Sequence, residues 1–327
     1  MHKWSPDQKF LLCRPRGGLN DTLCQIERCV RYAATFDRIL IIDTRNSELQ
    51  SNFSDYFEPK HKSSDIIFDA DAHILEYLNG LICFPAEARG RANDLNLRDT
   101  TTVPLTFDFD KDYSEPLLLH ERWGGGRMSF ELIDRLRLSQ EIRPIVLDRL
   151  SDLKGRYHAV HVRNTDLKTD YKAFFERISP EVSGKRLLVC SDDCSVIEYA
   201  REYFKSSEIL TSSKIPDTKG EALHQFGDRR ERTIETLVDL IALGRAERLF
   251  FSTVHKGYIS GFSQLANHLA KNKHVIDDLF GTPRLDISHL RLRIYLSGRR
   301  TKDRLRRFYY RTVRQWFADY QSRSEFQ

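Results

Sequence analysis

The sequence lacks several features that would place it in a special class of protein. It contains no apolar run of about 18 residues, the length that a membrane-spanning helix requires. Its first residues hold no apolar stretch of signal-peptide length, so we expect a cytoplasmic protein. Six cysteines among 327 residues are too few for a disulfide framework, and no pair has zinc-site spacing. With 40% apolar and 30% charged residues, a soluble globular chain is predicted.

Positive charge is concentrated near the C-terminus. Residues 291–316 contain ten lysines or arginines and one aspartate, a local charge of +9 in a chain whose net charge is +5. Leu305, Phe308, Val313 and Trp316 recur there at helical spacing. We predict a basic amphipathic helix over 291–327, in which 299–320 contacts an anionic membrane surface. The alternative is a helix packed on its own protein. Nucleic acid is not expected as a partner, because no binding module accompanies the basic run.

Short apolar runs alternate with helical patterns along most of the chain. Residues 10–13 are apolar, a glycine loop and a helical pattern follow, and 38–44 form an uninterrupted apolar run typical of a buried parallel strand. This order predicts a βαβ unit. A second alternating series begins at residue 158. Its strands are predicted at 158–162, 186–190, 207–213 and 247–253.

Two such series predict an α/β protein with two Rossmann-like domains that face a central cleft. Residues 131–150 have a helical pattern interrupted by Pro144, and we place the domain boundary within it. The predicted domains are 1–145 and 146–290, followed by the C-terminal segment.

The first candidate site follows the first strand, at Gly17, Gly18, Asn20 and Asp21. Glycines there allow the backbone to approach a ligand, and a helix N-terminus attracts phosphate. An ordinary turn with Asn20 or Asp21 as the helix N-cap is an equal alternative. The motif lacks the third glycine of a dinucleotide fingerprint, although Asp43 imitates the ribose-binding acid of such folds. An NAD-dependent oxidoreductase is therefore a secondary alternative.

The second candidate site follows residues 158–162, at His161, Arg163, Asn164 and Asp166. A guanidinium at the carboxyl end of a parallel strand can hold a diphosphate through two hydrogen bonds. The alternative for Arg163 is a structural salt bridge to Asp166. We expect His161 to be a supporting or core residue rather than a base.

Two further strand ends carry polar residues. Asp192 and Asp193 can bind a sugar hydroxyl, a base edge or a metal, or can cap the next helix. The last predicted strand leads into a candidate phosphate or ribose cradle. Its members are Ser252, Thr253, Lys256, Ser260, Gly261, Phe262 and Ser263. Because all these groups follow strands, they predict one composite cleft.

In combination, the motifs resemble the fucosyltransferase superfamily of bacterial α-1,2-fucosyltransferases, nodulation α-1,6-fucosyltransferases and protein O-fucosyltransferases. The sequence "GGLNDTLCQ" (17–25) is similar to the family's "GGLGNQLFQ", and His161, Arg163 and Asp166 match its "HxRRxD". "CSDD" (190–193) is similar to the family's "CTDS". Asn164 replaces the family's second arginine, and Asp21 stands where asparagine is usual.

The resemblance implies a GT-B fold and an inverting, metal-independent glycosyltransferase with a GDP-sugar, expected to be GDP-fucose, as co-substrate and no resident cofactor. Domain 1–145 would bind the acceptor and domain 146–290 the nucleotide sugar. Arg163 would bind the diphosphate, and Asp21 is our candidate base. We expect a glycan or lipid-linked acceptor, a role in bacterial surface polysaccharide synthesis, and peripheral attachment at the inner membrane face. A non-catalytic glycan- or nucleotide-binding protein of the same fold is the alternative.

Overall fold

The computed structural model describes residues 4–215, 227–254 and 257–281. Residues 1–282 form one compact unit. The predicted basic helix at 291–327, its membrane-binding stretch and Lys256 lie outside the described residues. Among the described residues, none of the helices has the length and apolar character that crossing a bilayer requires.

The N-terminal sheet is entirely parallel, with strand order β4-β2-β1-β6-β5. Its strands are β1 (Lys9–Pro15), β2 (Arg38–Ile42), β4 (Ile66–Ile67), β5 (Cys83–Phe84) and β6 (Leu117–Arg122). The predicted βαβ unit is present, because α1 (Leu19–Thr35) connects β1 to β2. β1 and β2 are apolar almost throughout because both faces of the sheet are covered. The chain runs from β1 to β2 and β4 on one side of the sheet, and then crosses to β5 and β6 on the other side of β1. The gap between β1 and β6 is therefore a topological switch point.

Residues 131–150 do not form the single interrupted helix that the pattern predicts. They contain the end of α3 (Met128–Ile133), strand β7 (Leu136–Leu138) and α4 (Ile142–Leu150). β7 pairs antiparallel with β3 (Phe57–Pro59), and this pairing overrides the local helical pattern. Pro144 lies in the first turn of α4, where its missing N–H removes no helical hydrogen bond. A further helix, α2 (Ala72–Asn79), precedes β5.

The C-terminal sheet is also parallel, with strand order β10-β9-β8-β11. Its strands are β8 (His158–Val162), β9 (Arg186–Ser191), β10 (Glu208–Leu210) and β11 (Arg248–Phe251). The accompanying helices are α5 (Tyr171–Val182), α6 (Cys194–Tyr203), α7 (Arg229–Arg245), α8 (Gly261–Lys271) and α9 (Lys273–Leu279). Here the switch point lies between β8 and β11. The predicted architecture of two Rossmann-like parallel sheets is therefore confirmed.

One apolar core joins the two sheets. Ile26 of α1, Val238 of α7 and Leu269 of α8 belong to the same buried cluster, and each is fully inaccessible to solvent. Each such side chain contributes about 1.5–3 kcal/mol through burial. The core therefore fixes the first turn of α1 relative to the first turn of α8, and these two turns border the cleft described next.

Candidate functional site

A cleft of about 600 Å³ lies at the carboxyl ends of both sheets. The loops after β1 and β8, one side of α7 and the start of α8 line it. These are the strand ends at which open α/β sheets bind ligands. Of the residues singled out in the sequence, the cleft is lined by Gly17, Gly18, Asn20, Asp21, His161, Arg163, Asp166, Asp192, Ser260, Gly261 and Phe262. Asn164, Asp193, Ser252, Thr253 and Ser263 do not line it.

The glycine loop is shaped by close contacts with acidic side chains. Gly17 has a positive φ of 87°, and a Cβ at that position would lie 2.8 Å from Asp21 Oδ2. A Cβ at Gly18 would lie 3.1 Å from Glu48 Oε2. Gly18 is the N-cap of α1 and has no side-chain cap, so the alternative that Asn20 or Asp21 caps this helix is wrong. The first-turn N–H groups therefore lack a side-chain partner at the N-cap.

Asp21 points its carboxylate toward the loop that follows β6. One carboxylate oxygen packs against Gly125, where any side chain would collide with it. Burial raises the pKa of Asp21 above its ordinary value, while a hydrogen bond from the Gly124 backbone and the charge of Arg163 oppose that rise. A half-buried carboxylate with a raised pKa is a better proton acceptor than an exposed one.

Asn20, beside Asp21, is buried and has a structural role. Its side-chain oxygen accepts a hydrogen bond from Ser129 Oγ at 2.7 Å, and its Nδ2 donates to the Gly126 carbonyl at 3.4 Å. These bonds attach the start of α1 to the loop after β6 and to the start of α3. The position of Asp21 is consequently fixed from both sides.

Arg163 lines the same cleft as Asp21, from the loop after β8. Its Nε donates to Asp166 Oδ1 at 3.0 Å and its Nη2 to Asp166 Oδ2 at 2.9 Å. About a third of the Arg163 side chain is exposed to solvent. Burial lowers the pKa of Arg163, but the hydrogen bonds to Asp166 and the charges of Asp166, Asp192 and Glu48 together raise it. The same pairing lowers the pKa of Asp166. The predicted salt bridge is therefore present, and it orients a guanidinium that still lines the cleft.

The acidic pair after β9 holds the Arg163 loop in shape. Asp192 accepts hydrogen bonds from the Asn164 backbone N–H at 2.6 Å and from Thr165 Oγ1 at 2.6 Å. Asp193 accepts from Asn164 Nδ2 at 2.8 Å and caps α6 through the Ser195 N–H. Asn164 is buried within this network. It binds the loop rather than a ligand in the cleft, which explains how a neutral residue is accommodated there.

His161 supports the site from beneath. Its Nδ1 lies 2.7 Å from Ser263 Oγ, and its ring packs against Phe262 with centroids 5.0 Å apart. Burial and the charge of Arg163 lower the pKa of His161 to about 3, so the ring is neutral at physiological pH. Ser260 caps α8 by accepting a hydrogen bond from the Ser263 N–H. His161 thus positions the start of α8.

The two residues that follow β11 differ in their exposure to solvent. Ser252 is buried and lies 3.5 Å from Thr169 Oγ1, whereas Thr253 is exposed. Neither residue reaches the cleft. The part of the predicted cradle that does so is the N-terminus of α8.

Polar residues of α7 line the other end of the cleft, and our sequence interpretation did not identify them. They include Arg232, Glu235, Thr236 and Asp239, together with Thr233. The spacing of three, four and seven residues puts the first four on one helix face. That polar stripe, beside the buried apolar residues of the same helix, was the available signal.

Asp239 is the most perturbed of these residues. It accepts hydrogen bonds from Ser212 Oγ at 2.5 Å and Ser213 Oγ at 2.9 Å. Burial raises the pKa of Asp239 to about 6 despite the two serines. Its carboxylate therefore changes charge near neutral pH.

Two other residues of the N-terminal half were also missed, Glu48 and Trp123, and both line the cleft.

Asp43, which the sequence analysis compared with the ribose-binding acid of dinucleotide-binding folds, is buried. It is bonded to Arg14 at 2.9 Å and to Arg45 at 2.9 Å. Because Asp43 does not line the cleft, it cannot bind a ribose there. Within the described ranges, no three His, Cys, Asp or Glu side chains are grouped to hold a metal ion.

Comparison with known proteins yields matches in structure only. No protein-family model and no curated protein sequence matches the chain. NodZ alpha-1,6-fucosyltransferase soaked with GDP-fucose matches with a TM-score of 0.55 and 20% identity, covering 80% of this chain and 92% of that one. Fucosyltransferase NodZ from Bradyrhizobium matches with a TM-score of 0.55 and 18% identity, over 79% and 92%. POFUT1 in complex with GDP-fucose matches with a TM-score of 0.51 and 13% identity, over 81% and 94%.

These similarities define the fold. The two parallel sheets and the cleft between their carboxyl ends are those of a GT-B protein, as the sequence resemblance implies. The chain spans more than nine-tenths of each of these structures.

Proposed function

We propose that this protein is an inverting glycosyltransferase that moves a sugar, most simply fucose, from a GDP-sugar to a glycan hydroxyl without a metal ion. The observation that carries the proposal is that Asp21, from the turn after β1, and Arg163, from the loop after β8, line one cleft. A fixed cation for a leaving diphosphate and a half-buried carboxylate for an acceptor proton are the two groups that glycosyl transfer requires. The fold shared with proteins crystallised with GDP-fucose supports this donor.

The reaction requires no oxidant or reductant. The acceptor oxygen forms a bond to the anomeric carbon as the bond from that carbon to the diphosphate oxygen breaks. The acceptor proton passes to Asp21, and the electron pair of the broken bond leaves on the nucleoside diphosphate. Attack from the face opposite the leaving group inverts the anomeric configuration.

Arg163 stabilises the charge that develops on the leaving group. Its geometry is set by Asp166, which occupies two of its N–H groups and leaves the cleft-facing part of the guanidinium for phosphate. The N-terminus of α8 adds a positive dipole end from the same side. Removal of a comparable preorganised donor typically slows catalysis by about 100- to 1000-fold.

The nucleobase end of the cleft is assigned to α7. Guanine presents adjacent N–H and NH₂ donors on its pairing edge, and a carboxylate can accept both. Asp239 and Glu235 supply carboxylates there, and Arg163 supplies a guanidinium for the phosphates. Uracil and cytosine lack this pair of adjacent donors, so GDP is the nucleotide that the arrangement favours.

The finer parts of the proposal concern the setting of the reaction. We place the acceptor on the N-terminal side of the cleft and the donor on the C-terminal side, as the predicted domains 1–145 and 146–290 imply. A lipid-linked glycan of a bacterial surface polysaccharide would suit the basic residues 299–320, which would then hold the protein at the inner membrane face.

The test is a thermal-shift series with GDP, UDP, CMP and NAD, followed by GDP release from GDP-fucose in the presence of glycans. A ligand at a hundredfold its Kd adds about 2.7 kcal/mol to stability. We expect a shift with GDP alone. A shift with UDP or CMP would reject the GDP-sugar, a shift with NAD alone would reject the transferase, and GDP binding without glycan-dependent GDP release would identify a non-catalytic binding protein.

A further inference from the structure

Trp123 is an exposed aromatic residue at the acceptor side of the cleft. It directly follows β6, at the carboxyl end of the N-terminal sheet and beside the switch point between β1 and β6. Its exposed fraction is 61%, yet it lines the cleft. An indole of this size left open to water at a ligand site indicates an interaction surface.

The indole is held in place rather than left loose. The Arg98 guanidinium carbon lies 5.5 Å from the centroid of the Trp123 ring, a cation–π contact. The next residue, Gly124, accepts a hydrogen bond from Gln25 Nε2 of α1. Gln25 Oε1 in turn lies 2.8 Å from Nε2 of the buried His120 in β6. Trp123 is therefore anchored at a defined position on the cleft wall.

The same loop connects Trp123 to the candidate base. The backbone of Gly124 hydrogen-bonds the Asp21 carboxyl, and Gly125 packs directly against it. A ligand that lies on the indole is thereby brought next to Asp21. The diphosphate ligands, Arg163 and the start of α8, come instead from the C-terminal half.

We propose that Trp123 is the platform on which a pyranose ring of the acceptor glycan stacks. The proposal rests on the proposed function and extends it to the acceptor. One face of a pyranose carries several C–H groups, which pack favourably against the electron-rich face of an indole. The hydroxyls project from the edge of the stacked ring, where Asp21 can accept the proton of one of them. Trp123 would thus select a glycan rather than a protein side chain as acceptor.

The test compares Trp123→Ala and Trp123→Phe with wild type. The control is Tyr203→Ala, which removes another exposed aromatic ring at the end of α6 and outside the cleft. Each protein is saturated with GDP and applied to an array of neutral pyranose oligosaccharides. Removal of an aromatic stacking platform costs about ten- to a hundredfold in affinity. We expect that loss for Trp123→Ala, partial retention for Trp123→Phe, and wild-type binding for Tyr203→Ala.

A GDP thermal shift measured on the same samples separates the two proposals. Absence of the shift in wild type means that the proposed function fails. A normal GDP shift with equal glycan binding by wild type and Trp123→Ala overturns the platform, as does a wild type that binds GDP and no glycan. Loss of the GDP shift in Trp123→Ala alone also overturns it, because Trp123 would then serve the donor.

Discussion

Gly261 at the start of α8 is packed against the side chain of Asn20 at the start of α1. A Cβ at Gly261 would lie 2.5 Å from Asn20 Nδ2 and 3.0 Å from Asn20 Cγ. The two helices belong to different halves of the chain, and their first turns border the cleft. The absence of a side chain at Gly261 is therefore a condition for the observed spacing between Asp21 and the α8 N-terminus.

Gly261→Ala should widen that spacing. The added methyl must displace Asn20, which is bonded to Ser129 and Gly126, and overpacking of this kind costs about 1–3 kcal/mol. We expect a lower Tm together with a larger fractional loss of transfer rate than of GDP affinity. The control is Gly80→Ala, because that residue has a negative φ and an ordinary contact of 3.4 Å to the Tyr77 carbonyl. Equal activity in the two variants would show that the contact does not control the cleft.

Arg163→Ala should remove most transfer activity and leave the protein folded. The guanidinium is partly exposed, so its loss creates no core cavity, but the leaving diphosphate loses its cation. We expect a fall of about 100- to 1000-fold in kcat/KM. Arg163→Lys should recover little, because an ammonium cannot bind Asp166 in the two-bond geometry and face the phosphate as well.

Arg156→Ala is the matched control for Arg163, since it removes an arginine whose side chain is 88% exposed and forms a surface ion pair with Glu247. Wild-type turnover in Arg163→Ala, measured beside that control, would refute the diphosphate assignment. Circular dichroism of all variants checks that the fold is retained.

Asp21→Asn should abolish proton acceptance while preserving GDP binding. The expected loss in kcat is about 100- to 10,000-fold. In wild type the carboxylate must be ionised to act as a base, so the rate should fall as pH drops through the raised pKa of Asp21. That acid limb should disappear from the residual activity of Asp21→Asn.

Glu48→Gln is the companion variant, because Glu48 is the carboxylate on the other side of the glycine loop. We expect its turnover to stay within a fewfold of wild type. The reverse pattern, with turnover lost in Glu48→Gln and kept in Asp21→Asn, would transfer the role of base to Glu48.

The fold could be predicted from the sequence because the patterns that indicate its strands and helices are local. Apolar runs identify β1, β2 and β9, an alternating run identifies β8, and helical periodicity between them identifies a doubly wound sheet. β7 was not predicted, because its three residues pair only with β3, almost eighty residues earlier in the chain. Such a short strand carries no periodicity of its own, and long-range pairing decides its conformation.

The site was predictable where a residue directly follows a strand. Arg163 and Asp192 are examples, because parallel topology brings such positions to one edge of the sheet. Glu48 and the polar face of α7 reach the cleft only through tertiary packing, and Trp123 follows β6, a strand that the sequence analysis did not predict. Ser252 shows the converse, since it follows β11 but its side chain is buried toward Thr169. A position directly after a strand predicts that the residue lies at the edge of the sheet, but it does not predict where its side chain points.

The affinity for GDP should depend on pH through Asp239. Its pKa is raised to about 6, so it is a carboxylate above that pH and a neutral acid below it. Only the carboxylate can accept both guanine donors, and bound GDP must therefore lower its pKa. We expect the Kd to be constant above about pH 7 and to rise toward tenfold per pH unit below pH 6.

The Asp239→Asn variant distinguishes the titration of Asp239 from other effects of low pH on GDP binding. The amide offers one acceptor atom and does not titrate, so GDP affinity should be lower at neutral pH and flat between pH 5 and 8, a window chosen around the raised pKa of about 6. Isothermal titration in buffers of different ionisation enthalpy should show that wild type releases protons on binding GDP near pH 6, whereas Asp239→Asn releases none. A wild-type Kd that does not change with pH would move guanine recognition away from Asp239 and toward Glu235, which lies one helical turn earlier on α7.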